Sequence, residues 1–257
     1  MKLVVEGVSH AFGGMAVLED VSFEAGGSEV VVVIGPSGCG KSTLLSILGG
    51  LLKPAGGAVQ IEGAPPADSL NPVTFVFQDF ALLPWRTVRD NVGFALEHHG
   101  LPPARRAALV ADALARTGLS DFADAYPKQL SGGMRQRVGI ARALAVSPAV
   151  FLMDEPLSAL DAQTRELLME DFRLIWERHR VATVYVTHNL DEAVRLADRV
   201  IVLSRRPGRI KDVIAVPIPR AERGGEAAAA DLAALHNRLW RLIRDEAIAA
   251  DRELALN

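Results

Sequence analysis

The chain carries the run Gly35-Pro36-Ser37-Gly38-Cys39-Gly40-Lys41-Ser42-Thr43 between two apolar segments, residues 29–34 and 44–48. This run fits the pattern G-x-x-x-x-G-K-[ST], which predicts a strand, a glycine-rich loop and a helix in that order. Glycines let backbone N–H groups turn inward around an anion, and a helix N-terminus adds a partial positive charge. A glycine-rich turn before an ordinary helix is the alternative. The flanking strand and helix favour a phosphate-binding loop.

Length and composition narrow the class of protein. The 257 residues suit one large domain or two joined lobes, and the net charge of −3 comes from interspersed acidic and basic residues. No basic nucleic-acid footprint is visible. The single cysteine, Cys39, excludes an intrachain disulfide and a thiolate zinc site. We find no secretion signal and no apolar run long enough to span a membrane, so we expect a soluble chain.

Strand-like and helix-like segments alternate along the chain, which predicts a mostly parallel sheet covered by helices on both faces. Residues 87–145 form a long helical stretch between two such strands, so we expect an α/β core with a helical lobe. Residues 205–225 are predicted to be an extended segment. Strands are predicted at 3–8, 17–23, 30–34, 58–61, 73–77, 150–153, 182–186 and 200–203, and helices at 41–51, 162–180, 190–196 and 226–254.

The last predicted helix carries one apolar stripe. Its members, Leu232, Leu235, Leu239, Leu242 and Ile243, recur at steps of mostly three and four residues. Packing of this stripe against its own domain is favoured over a partner-binding role.

Two carboxylates, Asp154 and Glu155, end the apolar strand predicted at 150–153. Parallel strands place ligand chemistry at their C-terminal ends. Asp154 can hold Mg²⁺, because a hard cation prefers carboxylate oxygen, and Glu155 can act as general base toward a water. A pair of solvated carboxylates is the alternative, which the phosphate loop elsewhere in the chain disfavours.

A second motif, Leu130-Ser131-Gly132-Gly133-Met134-Arg135-Gln136-Arg137, predicts another helix start that can bind an anion. Ser131 can cap the helix, and the two glycines leave its first N–H groups open. Taken alone, the motif would be interpreted as a plain capped helix. In a chain that already has a phosphate loop, the motif is interpreted as a second anion-binding helix start.

Together, residues 35–43, 130–137 and 151–155 resemble the nucleotide-binding subunit of an ATP-binding cassette (ABC) transporter. The resemblance spans about residues 1–215. It implies an α/β fold: a P-loop NTPase (RecA-like) core with an antiparallel β subdomain and an α-helical subdomain inserted at about 87–147. Residues 216–257 would then be a C-terminal extension with an amphipathic helix. It also implies ATP and Mg²⁺ as cofactors and ATP hydrolysis as the activity.

By position, the resemblance assigns residues to ATP. Phe12 lies where the family stacks an aromatic ring on adenine; a Phe that faces the core is the alternative. Lys41 reaches the outer phosphates and is one of the expected catalytic residues. The other phosphate-binding residues belong to the loop and are Gly35, Pro36, Ser37, Gly38, Cys39, Gly40, Ser42 and Thr43.

The resemblance also assigns the metal and the hydrolytic water. Ser42, Gln78 and Asp154 are the expected Mg²⁺ residues, and Gln78 also belongs to the ATP site. Glu155 would position water, and His188 would contact the γ-phosphate. A histidine that follows a strand is ordinarily solvated surface; the position of His188 after a late core strand favours the functional interpretation.

In this family two subunits pair head to tail, and each ATP lies between the phosphate loop of one and the signature motif, here residues 130–137, of the other. The resemblance therefore implies a homodimer in which Ser131, Gly132, Gly133 and Gln136 contact the partner's ATP. Asp161, in the run Ser158-Ala159-Leu160-Asp161, matches the loop that crosses to the partner's site.

The family resemblance implies two further kinds of partner: two transmembrane permease subunits and, indirectly, a solute-binding protein. It implies no nucleic-acid partner. The subunit would lie at the cytoplasmic face of a bacterial inner membrane. Leu82, Leu83 and Trp85 form an unusually apolar loop that suits a helix of a membrane subunit. Closure of the joint between the lobes is the alternative role of these residues.

Residues 82–88, 206–210 and 239–243 resemble importers of the nitrate, sulfonate and taurine group, which implies uptake of a small anion. An exporter or an importer of another solute, such as a pyrimidine precursor, remains an alternative. A cassette that acts on nucleic acid would predict paired cassettes or a basic face, and neither is visible. A small-molecule kinase would leave residues 130–137 and 158–161 without a role.

Overall fold

The computed structural model of the chain describes residues 1–178 and 181–254. They fall into two compact units, Met1–Gly63 with Ala182–Asn257, and Ala64–Val181. The strands are β1 (Lys2–Phe12), β2 (Met15–Ala25), β3 (Val30–Ile34), β4 (Gly56–Glu62), β5 (Val73–Val76), β6 (Val150–Asp154), β7 (Ala182–Val186), β8 (Arg199–Leu203) and β9 (Ile210–Ala215). The helices are α1 (Lys41–Leu48), α2 (Val88–Phe94), α3 (Pro103–Arg116), α4 (Gly132–Leu144), α5 (Ala162–Arg178), α6 (Leu190–Leu196) and α7 (Glu226–Leu254).

The first unit contains an antiparallel sheet in the order β2-β1-β4. The hairpin between β1 and β2 turns at Gly13 and Gly14, which both have positive φ. Two such residues make the tight turn whose twist matches the twist of the strands. This sheet is the antiparallel subdomain that the sequence resemblance implied.

The same unit contains β7, β3 and β8 as parallel neighbours, with β9 antiparallel at the side of β8. All residues of β3 and β7 are buried, as expected for strands covered on both faces. Helix α7 packs within this unit. Leu232 and Leu239 of its apolar stripe are buried, and Leu235, Leu242 and Ile243 are half-buried.

The second unit contains the parallel pair β5 and β6 and a helical core. Val92 of α2, Leu114 of α3 and Val138 of α4 are buried together in one apolar cluster. The predicted helical stretch at 87–145 is thus three helices with connecting turns. Among the described residues, no helix combines the length and the apolarity that crossing a membrane requires.

One strand in the first unit was not predicted. The segment at 205–225 was expected to be extended, and residues 210–215 of it pair with β8 as strand β9. Exposed and buried positions alternate in this strand from Lys211 to Ala215, as in an edge strand with one covered face. The prolines and glycines on either side hid this short alternation in the sequence.

Candidate nucleotide site

The phosphate loop connects β3 to α1. Gly40 is the N-cap residue of α1 at φ 105°, and no side chain caps the helix. The first N–H groups of a helix have no partner within the helix, so they remain available to an anion. A Cβ at Gly40 would lie 2.8 Å from Cδ2 of Leu18, so both conformation and space require glycine there.

Lys41 lies inside this loop and is 8% exposed. Its ammonium donates hydrogen bonds to the carbonyl oxygens of Gly35 (2.9 Å) and Pro36 (3.1 Å). A lysine this buried requires polar partners, and here the loop backbone supplies them. The cation is therefore held beside the open helix end before any phosphate arrives.

Cys39 turns its side chain into the protein and is 1% exposed. A Cβ at Gly35 would lie 2.9 Å from its sulfur, so the thiol packs directly beneath the start of the loop. Burial raises the pKa of the Cys39 thiol, while the positive charges of Lys41 and Arg206 act in the opposite direction. Only the backbone of Cys39 is suited to contact a phosphate.

Phe12 ends strand β1 with 53% of its surface exposed. Its ring meets the ring of His10 edge to face, with the centroids 4.6 Å apart. The core-facing alternative is therefore excluded, and a face of the ring is accessible for stacking.

The two carboxylates lie at the C-terminal end of β6, as the sequence predicts. Asp154 is the last residue of the strand, and Glu155 follows it in a left-handed conformation with φ 44°. Such a conformation is uncommon for a residue with a long side chain and persists where the surroundings enforce it. Ser158 contributes, since its backbone N–H (3.2 Å) and its hydroxyl (2.9 Å) both donate to the Glu155 carbonyl.

Gln78 is exposed two residues after β5. The chain that follows it is held by α4: Arg142 donates to the carbonyls of Ala81 (2.6 Å) and Phe80 (3.1 Å). The guanidinium of Arg135 also lies over the Phe80 ring, 5.5 Å from its centroid. These arginines connect the signature helix to the segment after Gln78, and no local sequence pattern predicted this.

Ser131 is the N-cap residue of α4, and its hydroxyl accepts a hydrogen bond from the N–H of Met134 (3.2 Å). The hydroxyl hydrogen remains available to donate to an anion. A Cβ at Gly133 would lie 2.5 Å from Cγ2 of Thr164, so the start of α5 packs tightly on this glycine. Gln136 is fully buried, one turn further along α4.

Asp161 caps helix α5. Its carboxylate accepts from the N–H (2.9 Å) and the hydroxyl (2.7 Å) of Thr164. The backbone hydrogen bond from Thr164 lowers the pKa of Asp161 most, and the hydroxyl hydrogen bond lowers it further. The carboxylate therefore stays ionised and fixes the loop before α5.

His188 is exposed just beyond β7, where the sequence placed it. Its neighbours are fixed by the buried carboxylate of Glu192, which accepts from the hydroxyls of Thr187 (2.7 Å) and Tyr185 (2.8 Å). Asn189 caps α6 through the N–H groups of residues 191 and 192. The sequence analysis did not identify Glu192 and Asn189 as the residues that fix the chain around His188. Asn189 was recognisable as a helix start, because an acidic pair, residues 191 and 192, follows it in the first turn.

The expected magnesium residues fit the chemistry of that ion. Ser42, Gln78 and Asp154 offer a hydroxyl, an amide oxygen and a carboxylate, and Mg²⁺ takes oxygen ligands. Within residues 1–178 and 181–254, no group of three or more His, Cys, Asp or Glu side chains could hold a metal.

Comparison with known proteins identifies the family. A model of the ABC transporter family matches residues 18–158. The taurine import ATP-binding protein TauB of Pseudomonas entomophila is 41% identical over 230 residues, 89% of each chain. The bicarbonate transport ATP-binding protein CmpD of a Synechocystis species is 42% identical over 225 residues, 85% of this chain and 80% of that one.

The solved structures agree. The dimeric structure of an ATP-binding cassette in a post-hydrolysis state, bound to ADP and phosphate, matches with a TM-score of 0.70 and 32% identity. The match covers 84% of this chain and 100% of that one. The resemblance and the P-loop NTPase fold inferred from the motifs are thereby confirmed. The chain belongs to the ABC transporter family and is one of its ATP-binding, ATP-hydrolysing subunits.

Proposed function

We propose that this subunit powers the uptake of a small anion through separate membrane permease subunits. The observation that carries the proposal is the presence of two helix starts suited to phosphate in one chain, those of α1 and α4. In a head-to-tail pair of chains, each ATP would lie between the α1 loop of one chain and Ser131 of the other. Hydrolysis removes the γ-phosphate contacts that hold such a pair closed.

In this mechanism, each site residue has one role. Lys41 and the loop N–H groups bind the β- and γ-phosphates, and Phe12 stacks on adenine. Ser42, Gln78 and Asp154 would hold magnesium, which would supply positive charge against the phosphates. The other trans residues Gly132, Gly133 and Asp161 shape the surface that meets the partner's ATP. Gln136 was expected to contact that ATP too, but it is fully buried and would only support this surface from within.

Glu155 orients the attacking water and takes up its proton, and His188 donates to the γ-phosphate. The left-handed backbone at Glu155 supports this role, because strain of this kind is concentrated at functional sites. The carboxylate also directly follows Asp154, so the base and the metal residue leave the same strand end.

The contact with the permease is proposed at the loop that carries Trp85, which is 72% exposed. Buried Asn91 holds this loop: its amide oxygen accepts from the N–H of Leu83 (2.8 Å), and its amide nitrogen donates to the carbonyls of Leu83 and Arg86 (both 3.1 Å). A large apolar side chain on a rigid loop suits docking of a membrane-subunit helix. Leu82 instead packs into the helical core of its own unit.

Two relatives support a small anion as the solute. One is named for taurine, which carries a sulfonate, and the other for bicarbonate, and the two are about equally similar to this chain. Because an ATPase of this family does not contact the solute, the choice between such anions belongs to the permease and to a secreted binding protein. The proposed location is the cytoplasmic face of a bacterial inner membrane.

Substitution Glu155→Gln tests the catalytic proposal. The amide keeps the shape of the side chain but cannot take up a proton, so we expect ATP binding to persist while turnover falls at least about 1000-fold. The variant should also form an ATP-dependent dimer, measured by light scattering. Glu222→Gln, at an exposed carboxylate, is the matched control and should hydrolyse ATP normally. Wild-type turnover in Glu155→Gln would reject the role of Glu155.

The transport proposal is tested with a permease that co-purifies with this subunit, reconstituted in vesicles together with a solute-binding protein. We expect ATPase activity to rise when the binding protein is loaded with the correct small anion. Taurine, another sulfonate, nitrate and bicarbonate are the first solutes to compare. Transport in the export direction, or stimulation by none of these anions, would contradict the proposal.

A further inference from the structure

The turn after β8 lies against the phosphate loop within the first unit. This turn, residues 204–209, contains Arg206-Pro207-Gly208, and we name it the RPG turn. The peptide bond between Arg206 and Pro207 is cis. None of the roles proposed above uses this segment, yet it touches the loop at two successive residues.

The first contact is made by Arg206. Its Nε (3.2 Å) and Nη2 (3.0 Å) both donate to the carbonyl oxygen of Gly38 in the phosphate loop. Its Nη1 lies 3.0 Å from the sulfur of Met15, which follows the hairpin turn after Phe12. A guanidinium that grips one carbonyl with two donors fixes both the distance and the direction of that carbonyl.

The second contact is made by Gly208. A Cβ on this residue would lie 2.2 Å from the carbonyl oxygen of Cys39, so the backbone of the RPG turn presses on the loop. Gly208 is itself fixed to β2, since its N–H donates to Val17 (2.8 Å) and its carbonyl accepts from Glu19 (3.1 Å). The loop is thus supported at Gly38 and at Cys39 by a segment about 170 residues later in the sequence.

Helix α7 anchors the RPG turn. One carboxylate oxygen of Glu246 accepts from the backbone N–H of Arg205 (2.9 Å), and the other accepts from Lys211 (2.8 Å). Burial acts to raise the pKa of Glu246, but the bonds and charges of Arg205 and Lys211 outweigh it and lower the pKa. The carboxylate is therefore ionised at neutral pH and holds the residue next to Arg206.

We infer that Arg206 is a positioning residue for ATP, and that helix α7 holds it in place through Glu246. The inference rests on the phosphate-binding role proposed for the loop. Gly38 has φ 75° and lacks a side chain, so its peptide could rotate and turn a carbonyl oxygen toward the phosphates. Such an oxygen would repel the anion. Arg206 pins the carbonyl on the outside of the loop.

The same contact orients a donor. In a trans peptide the C=O and the following N–H point in opposite directions. With the Gly38 carbonyl held outward, the N–H of Cys39 turns into the loop, where it now meets the carbonyl of Pro36 at 3.3 Å. Arg206 also adds a positive charge beside the loop. The N–H of Cys39 is therefore already turned into the loop before ATP binds, which lowers the cost of binding.

The experiment measures binding of a non-hydrolysable ATP analogue with Mg²⁺ by calorimetry, together with steady-state ATP hydrolysis. Arg206→Ala should weaken binding and raise KM about tenfold with kcat within about twofold, since it removes charge-assisted contacts that serve binding. Arg206→Lys should recover part of the loss. Arg209→Ala is the control: it removes an equal charge from the same turn, where Arg209 forms an exposed ion pair with Glu19, and should bind normally.

The link to α7 is tested by a double-mutant cycle. Glu246→Gln should weaken binding about threefold, and combining it with Arg206→Ala should add nothing, because Glu246 acts through Arg206. Additive losses would overturn the link to α7. Wild-type affinity in Arg206→Ala, or a loss equal to that in Arg209→Ala, would overturn the positioning role.

Two further variants keep the outcome interpretable. If Arg206→Ala does not fold, as judged by thermal unfolding without ATP, Arg206→Gln and Arg206→Lys give the answer, since each retains a donor. Lys41→Ala separates the two levels of inference. If Lys41→Ala binds the analogue normally, the proposed phosphate site itself fails; if it loses binding while Arg206→Ala does not, only the role of Arg206 fails.

Discussion

Helices α1 and α4 both begin with glycine-rich turns, but their first turns are completed differently. At α1, the N-cap Gly40 offers no side chain, and the open end is accompanied by the buried cation of Lys41. At α4, Ser131 already satisfies one backbone N–H of the helix. The first therefore has no side-chain cap before an anion binds, whereas the second has one N–H group capped by its own Ser131. This difference suits the proposed cycle, in which the α1 loop binds ATP and the contact from α4 of the partner forms and breaks.

The largest expected effect concerns the uncapped start of α1. Lys41→Ala removes the cation from the α1 loop, and we expect ATP affinity to fall about 100-fold or more, because several charge-assisted bonds to phosphate are lost. Calorimetry with the ATP analogue measures this. Lys53→Ala, outside the loop, is the control. If Lys41→Ala retained affinity, the contrast between the two helix starts would lose its functional meaning.

A smaller effect is expected at the start of α4, which Ser131 caps. Ser131→Ala removes the cap of α4 and should lower the free energy of unfolding by about 1 kcal/mol. Binding of ATP to the monomer should not change, while turnover and ATP-dependent dimer formation should fall about tenfold as the γ-phosphate loses a donor.

Thr87→Ala is the matched control for Ser131→Ala. Thr87 caps α2 by the same type of bond, from the N–H of Asp90 at 3.2 Å, but lies outside the signature motif. It should show a similar loss of stability with unchanged turnover. Equal turnover in the two variants would mean that Ser131 acts only as a helix cap.

The smallest expected effect concerns the thiol beneath the α1 loop. Cys39→Ala should change ATP affinity less than about threefold, because only the backbone of Cys39 faces the ligand and the lost packing is small. Since burial raises the pKa of the thiol, less thiolate is present at neutral pH than for a free cysteine, and alkylation should be slow. Its rate should rise with pH until the raised pKa is reached, and ATP should slow it further. Mass spectrometry follows the reaction; rapid labelling at neutral pH would contradict the burial of Cys39.

The sequence predicted those parts of the fold that have a strong local pattern. Strands β3 and β7 were found at their observed bounds because both are continuous, β-branched and buried. Helices α6 and α7 were also found at their observed bounds. Strand β9 was missed because an edge strand alternates weakly and lies among prolines and glycines.

The supports of the candidate site could not be predicted, because they join residues that are distant in the sequence. Arg142 reaches back 62 residues to the carbonyl of Phe80, and Arg206 reaches back 168 residues to Gly38. Each donates to a backbone carbonyl, and every residue type offers a backbone carbonyl. No motif can therefore mark the acceptor, and only the folded chain identifies the donor.

The left-handed backbone conformation at Glu155 affects which substitutions would be selected at this position in stabilised variants. A left-handed residue with a long side chain costs about 1 kcal/mol or more relative to glycine, so Gly at this position would relieve strain and leave the fold intact. A library of variants screened only for solubility or heat resistance would drift away from glutamate here. Retention of this side chain would require a screen that detects turnover, which makes position 155 a sensitive marker of whether a stabilised variant still works.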